Sequence, residues 1–159
     1  MKGLKNFIFV LLISISINIS PVHGARDTNS YDGNIYPIYA GNGSLVPPST
    51  TLKEALANKR TSVLVYYLDD SSSSKAFAPV VSGIKLLWSS AVDLIPLTTD
   101  EIQNKTIADN KEPSYYWKGV IPQVVVIDGE GEVILNEVGQ VDIQTINKAI
   151  STATGLEPP

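Results

Sequence analysis

Val63-Leu-Val-Tyr-Tyr-Leu-Asp-Asp-Ser-Ser-Ser-Ser-Lys-Ala-Phe-Ala-Pro79 is the stretch from which the rest of the chain can be read. It begins with an unbroken apolar run, Val63 to Leu68, rich in β-branched and aromatic residues. A strand buried on both faces has this character. Asp69 and Asp70 end the run, and Ser71 to Ser74 follow as a short polar loop. Lys75-Ala-Phe-Ala-Pro-Val-Val81 then opens a helical pattern with a proline in its first turns. Phe77, Val80, Val81, Ile84, Leu87 and Trp88 continue it at helical spacing. Pro79 lacks an N–H and crowds the preceding turn, which predicts a kink.

Strand, polar loop and kinked helix in this order resemble the core of a thioredoxin-like domain. An active thioredoxin carries Cys-x-x-Cys in this loop, followed by Lys-x-x-Ala-Pro. Here Lys75-x-x-Ala78-Pro79 is present, and Ser71 and Ser74 stand where the cysteines would be. The loop before the first serine is one residue shorter than in a typical thioredoxin. Downstream, Gly119-Val-Ile-Pro-Gln-Val-Val-Val-Ile127 is similar to the thioredoxin segment that holds a cis-proline before a central strand. The resemblance implies an α/β, thioredoxin-like fold, a central mixed β-sheet flanked by helices. It also implies a cis bond before Pro122.

Composition narrows the chemistry. The 159 residues suffice for one domain with a sizeable core. The apolar fraction of 43% is that of a folded globular protein. The net charge is −4, with charges scattered rather than in blocks, which argues against nucleic acid as a partner. No cysteine is present. Disulfide exchange needs a thiolate, so dithiol oxidoreductase activity is excluded. The only histidine is His23. Loss of the N-terminus would leave no His or Cys for a zinc or copper site, and no base for a Ser-His-Asp triad. No metal, no cofactor and no catalytic residue is expected.

Residues 1–24 read as an export signal. Lys2 and Lys5 form a positive start, Phe7 to Ile19 is apolar, and Val22 and Gly24 suit cleavage before Ala25. The apolar part is short of the roughly 20 residues of a membrane span, and an uncleaved anchor is the competing reading. Residues 25–50 form an N-terminal extension in which Asn34 to Ala40 fits a short edge strand, because an edge tolerates Pro37. Pro47-Pro48 is a stiff connector. The thioredoxin-like domain spans 51–154, and 155–159 is a tail.

Within the domain, Thr51-Leu-Lys-Glu54 has capping-box spacing and opens a helix over Leu52 to Lys59. Val92 to Leu97 is a strand whose Pro96 points to an edge or an exit. Residues 99–114 show no clear period. Gln123 to Ile127 and Glu132 to Glu137 are strands joined by a tight turn, Asp128-Gly-Glu-Gly131. Asp142 to Thr152 is the last helix, with Ile143, Ile146, Ala149 and Ile150 on its buried face. No internal repeat is seen.

The candidate binding residues flank the serine loop and the expected cis-proline. Ser71 and Ser74 offer backbone N–H groups at a helix start to an anion or a partner's strand, or simply cap the helix. A serine nucleophile is disfavoured, since no histidine can deprotonate it and Lys75 would need strong desolvation to do so. Asp69 and Asp70 can meet a basic partner or a hard cation, but two adjacent carboxylates supply few of the roughly six to eight oxygens calcium takes. The competing reading is a solvated loop beside a helix N-terminus. Tyr115, Tyr116 and Trp117 are consecutive, so neither structural period can bury all three, and at least one should be exposed or cover the groove. Ile121 and Pro122 would offer backbone to an extended segment. Asn18-Ile-Ser, Asn42-Gly-Ser and Asn104-Lys-Thr match the short and common glycosylation acceptor pattern.

Four stretches are distinctive together: Tyr39-Ala-Gly-Asn-Gly-Ser-Leu-Val-Pro-Pro48, Leu64-Val-Tyr-Tyr-Leu-Asp-Asp-Ser71, Tyr115-Tyr-Trp-Lys-Gly-Val-Ile-Pro-Gln123 and Asn136-Glu-Val-Gly-Gln140. They resemble the cyanobacterial and chloroplast family of thylakoid membrane photosystem I accumulation factors, over about residues 35–153. The resemblance implies a thioredoxin-like protein that supports photosystem I. It implies partners among photosystem I subunits or other assembly factors, and a place at the thylakoid membrane or in the lumen. Some members keep one cysteine in the loop, where this chain has Ser74, so the expected role is non-redox binding rather than enzymatic. A general holdase-type chaperone of the lumen or periplasm is the alternative.

Overall fold

The computed structural model describes residues 45–69, 71–88, 90–102 and 109–158. The expected export signal, the expected edge strand at Asn34 to Ala40, Asp70, and the triplets at Asn18, Asn42 and Asn104 lie outside the described residues.

β1, Ser62–Tyr67, is the centre. Every one of its residues is buried, as its uninterrupted apolar character predicts. It pairs in parallel with β2, Asp93–Thr98, and antiparallel with β3, Gln123–Ile127. β3 pairs antiparallel with β4, Val133–Val138, so the sheet is mixed with order β2-β1-β3-β4.

Alternate residues of the central strands feed two cores. Val63, Val65 and Tyr67, with Val124 and Val126, face helix α2, Ser72–Trp88, and helix α3, Ile143–Thr154. Phe77, Val81, Ile84 and Ile150 close that side. Burying each such side chain stabilises by about 1.5–3 kcal/mol. On the other face, Leu64, Tyr66, Val125 and Ile127 meet Leu52 of helix α1, Leu52–Ala57, together with Ile95, Ile102 and Tyr116. The expected thioredoxin-like α/β layering is therefore present.

Element ends follow local chemistry. α1 opens with the expected capping box: Thr51 Oγ1 accepts from the Glu54 N–H, and a Glu54 carboxylate oxygen accepts from the Thr51 N–H. The hydrogen bonds of this box hold the Glu54 carboxyl below its ordinary range. α1 stops at Ala57 rather than Lys59, because Lys59 adopts φ +53°.

α2 starts at Ser72 rather than Lys75, so three of the serines belong to the helix. Ser71 is the reason. Its Oγ accepts from the Ser74 N–H at 3.3 Å, and its carbonyl accepts from the Lys75 N–H at 3.0 Å. That is N-cap geometry. α2 then continues through Pro79, which lies inside the helix and exposed.

Among the described residues β2 stands at one end of the strand order, and its Pro96 is buried opposite Val65. Among the described residues of the segment after β2, Thr99–Glu101 and Pro113–Tyr115 form short 3-10 turns. In the β3–β4 turn, one Asp128 carboxylate oxygen accepts from the N–H groups of Glu130 and Glu132. Gly131 takes φ +90°, which a side chain would resist. Asp142 caps α3 by accepting from the Gln144 N–H. Among the described residues, no helix is long and apolar enough to cross a membrane.

Candidate binding groove at the cis-proline

The register places the proline and the serine loop at one end of the sheet. Tyr66 pairs with Gln123, so the loop leaving β1 emerges beside Pro122, which enters β3. The Ile121–Pro122 bond is cis, as the resemblance implied. A second cis bond, Val46–Pro47, lies in the connector.

Two polar ties join the proline loop and the start of α2 through the segment after β4. The Gly139 N–H donates to the Pro122 carbonyl at 2.7 Å. The adjacent Gln140 side chain donates to the Ser73 carbonyl at 2.8 Å. One short segment after β4 thus grips both the proline loop and the start of α2. Gly139 and Gln140 belong to a stretch that is distinctive in the sequence, but their partners are remote along the chain and the sequence does not name them.

The candidate residues divide by exposure. Ser71 is half-buried, and its hydroxyl bonds Ser73 Oγ at 2.7 Å as well as capping α2. Ser74 is buried, and its Oγ accepts from the Leu68 N–H at 3.1 Å. The second cysteine-equivalent position is therefore structural, and its side chain offers nothing to a partner at the surface. Asp69 is exposed. Lys75 is buried. Among the described residues, no cluster of three metal-binding side chains occurs.

The aromatic segment has its three members in three settings. Tyr115 is 53% exposed and meets Tyr116 edge to face, with centroids 5.0 Å apart. Tyr116 is buried and donates its hydroxyl to the Asn110 carbonyl at 2.6 Å. Trp117 is half-buried and lies against the Tyr66 ring at 5.3 Å. Tyr66 donates its hydroxyl to the Pro113 carbonyl at 2.8 Å. Burial pushes the phenols of Tyr66 and Tyr116 above their ordinary range, with neighbouring tyrosines adding to it.

Gln123 organises this segment. Its amide nitrogen donates to the Tyr116 carbonyl and to Asn136 Oδ1, and its oxygen accepts from the Lys118 N–H. Asn136 and Lys118 add bonds to the same knot, Asn136 to the Tyr116 carbonyl and the Lys118 ammonium to the Asn136 carbonyl. One signal for Gln123 was present in the sequence: a polar residue heading an otherwise apolar strand.

What remains open is the backbone just before the proline. No hydrogen bond reaches the Val120 or Ile121 backbone among the described residues. Val120 is 48% exposed, Ile121 half-buried, and Val138, paired with Gln123, is 39% exposed. An unpaired backbone edge flanked by apolar side chains can accept an extended chain segment.

No protein-family model matches the chain. It is similar to the thylakoid membrane protein slr1796 of Synechocystis sp., 37% identical over 134 residues, covering 84% of this chain and 67% of that protein. Among solved structures it is similar to a mutant thioredoxin from Halobacterium salinarum, with TM-score 0.51 and 20% identity over 67% of this chain and 86% of that one. The second likeness bears on the fold alone, and the first on descent. With a thioredoxin-like fold and no cysteine, the chain belongs to the family of the Synechocystis thylakoid membrane protein slr1796.

Proposed function

We propose that this protein is a non-redox, thioredoxin-like accessory factor that supports assembly or accumulation of photosystem I at the thylakoid by binding protein partners. The observation that carries the reading is the open Val120–Ile121 backbone beside the cis-proline, in a chain without any cysteine. An extended segment of a photosystem I subunit, or of another assembly factor, would pair with that backbone. Tyr115, Val120 and Val138 would contact its side chains. Backbone pairing gives affinity to any extended chain, and the side chains select among them.

The setting is supported by kinship. The Synechocystis relative is a thylakoid membrane protein. The N-terminal export pattern fits the lumenal side of that membrane. The proposed role is binding without thiol chemistry, since thiol exchange has no thiolate here.

The test is the ratio of photosystem I to photosystem II reaction centres in cells lacking the protein. A selective fall in photosystem I, restored by this cysteine-free chain, is the expected result. Equal levels of both photosystems would overturn the assignment and favour a general holdase. That alternative predicts suppressed aggregation of unrelated unfolded proteins.

A further inference from the structure

We propose that the protein carries a second site, for an anionic amphiphile, where Lys53, Lys59 and Lys111 meet around a cavity at the hairpin end of the sheet. The cavity measures about 340 Å³ and is lined by these lysines together with Leu56, Gly129 and Glu130. It lies beyond the far end of β3 from Pro122, so it does not rest on the proposed groove function.

The lysines are the first observation. The protein is acidic overall, with net charge −4, yet three of its cations gather at one cavity. Lys53 and Lys111 reach no carboxylate among the described residues. Lys59 pairs with Glu130 at 3.2 Å, but both side chains are largely exposed, and such pairs exchange readily. Like charges around a shared cavity repel, and an anion between them relieves that repulsion.

The seat of Lys59 is the second observation. Its φ of +53° lies in the left-handed region, which favours glycine or asparagine. Its backbone is also pressed against the hairpin, because a Cβ at Gly129 would stand 2.4 Å from the Lys59 carbonyl oxygen. A lysine is therefore held on a constrained stretch of backbone at the rim of the cavity.

The third observation gives the ligand its second half. A neighbouring cavity of about 340 Å³ shares Lys53 and Lys111 and is walled by Leu52, Ile95, Leu97 and Pro113. An anionic head would sit among the three lysines, with an apolar body along Leu97 and Pro113, the half-buried apolar residues of that wall. Glu130 and Glu112 stand at the edges of the two cavities and disfavour a polyanion. The chemistry is that of a lipid with a singly charged phosphate headgroup.

The probe is dihexanoylphosphatidylglycerol below its micelle concentration, titrated calorimetrically into the full chain. Inorganic phosphate and dihexanoylphosphatidylcholine are the controls. The expected result is binding about tenfold or more tighter than either control, a difference of about 1.4 kcal/mol. Lys53→Gln combined with Lys111→Gln should remove that margin. Lys59→Gly, which suits the local backbone, should lower affinity while the fold is retained. Equal binding of the two lipids would overturn the proposal, as would phosphate binding as tightly as phosphatidylglycerol. Affinity indifferent to the lysine substitutions would overturn it too.

Discussion

The Gln123 side-chain amide donates to the Tyr116 carbonyl at 2.7 Å, which fastens the aromatic segment to the first residue of β3. Gln123 is fully buried, and the same side chain also serves Lys118 and Asn136. Gln123→Leu keeps much of the volume but leaves buried polar partners unpaired. The expected loss of stability is about 1.5–4.5 kcal/mol, from three lost hydrogen bonds at about 0.5–1.5 kcal/mol each. Urea denaturation measures it. The tryptophan emission should also shift red, because Trp117 loses its anchor. A variant as stable as wild type would show that the amide knot is dispensable.

Tyr115 and Trp117 should separate binding from folding. Tyr115 is 53% exposed, so Tyr115→Ala should change stability by no more than about 0.5 kcal/mol. Trp117 packs on Tyr66 and on the second core, so Trp117→Ala should cost about 1–3 kcal/mol in addition to any effect on binding. Capture of photosystem I subunits from solubilised thylakoids, normalised to folded protein, should fall for Tyr115→Ala. Undiminished capture by that variant would remove the aromatic wall from the groove.

Much of this architecture is legible along the chain, because it depends on local pattern. The buried run at Val63 to Tyr67, the Thr51–Glu54 box and the Asp128–Gly131 turn are each decided by neighbours in sequence. The cis bond at Pro122 is legible only through the resemblance. The contents of the groove are less so. Whether Ser74 faces solvent depends on Leu68, whose N–H donates to its hydroxyl oxygen. The knot at Gln123 and the tie from Gln140 to Ser73 join residues that only the fold brings together. A one-dimensional pattern marks a polar residue as unusual in a strand, but does not name its partner.

Ser71 caps α2, so Ser71→Ala should cost about 1 kcal/mol. Ser71→Cys gives a more direct view of the electrostatics left at this loop. A thiol at a helix N-terminus is stabilised as thiolate, and its pKa falls below the ordinary value of about 8.5. The pH profile of iodoacetamide alkylation should therefore have its midpoint below that of a free cysteine. A midpoint at or above about 8.5 would mean that the helix start no longer favours negative charge there.

The buried tyrosines set the alkaline limit of the fold. Burial raises the phenol pKa of Tyr66, which is fully buried, and of Tyr116. In the unfolded chain both should ionise near the ordinary value of about 10. A raised folded-state value means that the native protein keeps these protons while the unfolded chain releases them. Their contribution is therefore fully present below about pH 10 and is lost as pH rises above it. For Tyr66 the decline approaches about 1.4 kcal/mol per pH unit. Tyr66→Phe removes this linkage together with the hydrogen bond to the Pro113 carbonyl. The variant should be less stable at neutral pH by about 0.5–1.5 kcal/mol, yet lose stability more gently above about pH 10. Urea midpoints measured from about pH 8 to about pH 11, on either side of the ordinary phenol value, would reveal the crossing slopes. Parallel curves for the two proteins would show that Tyr66 ionises as freely in the fold as outside it.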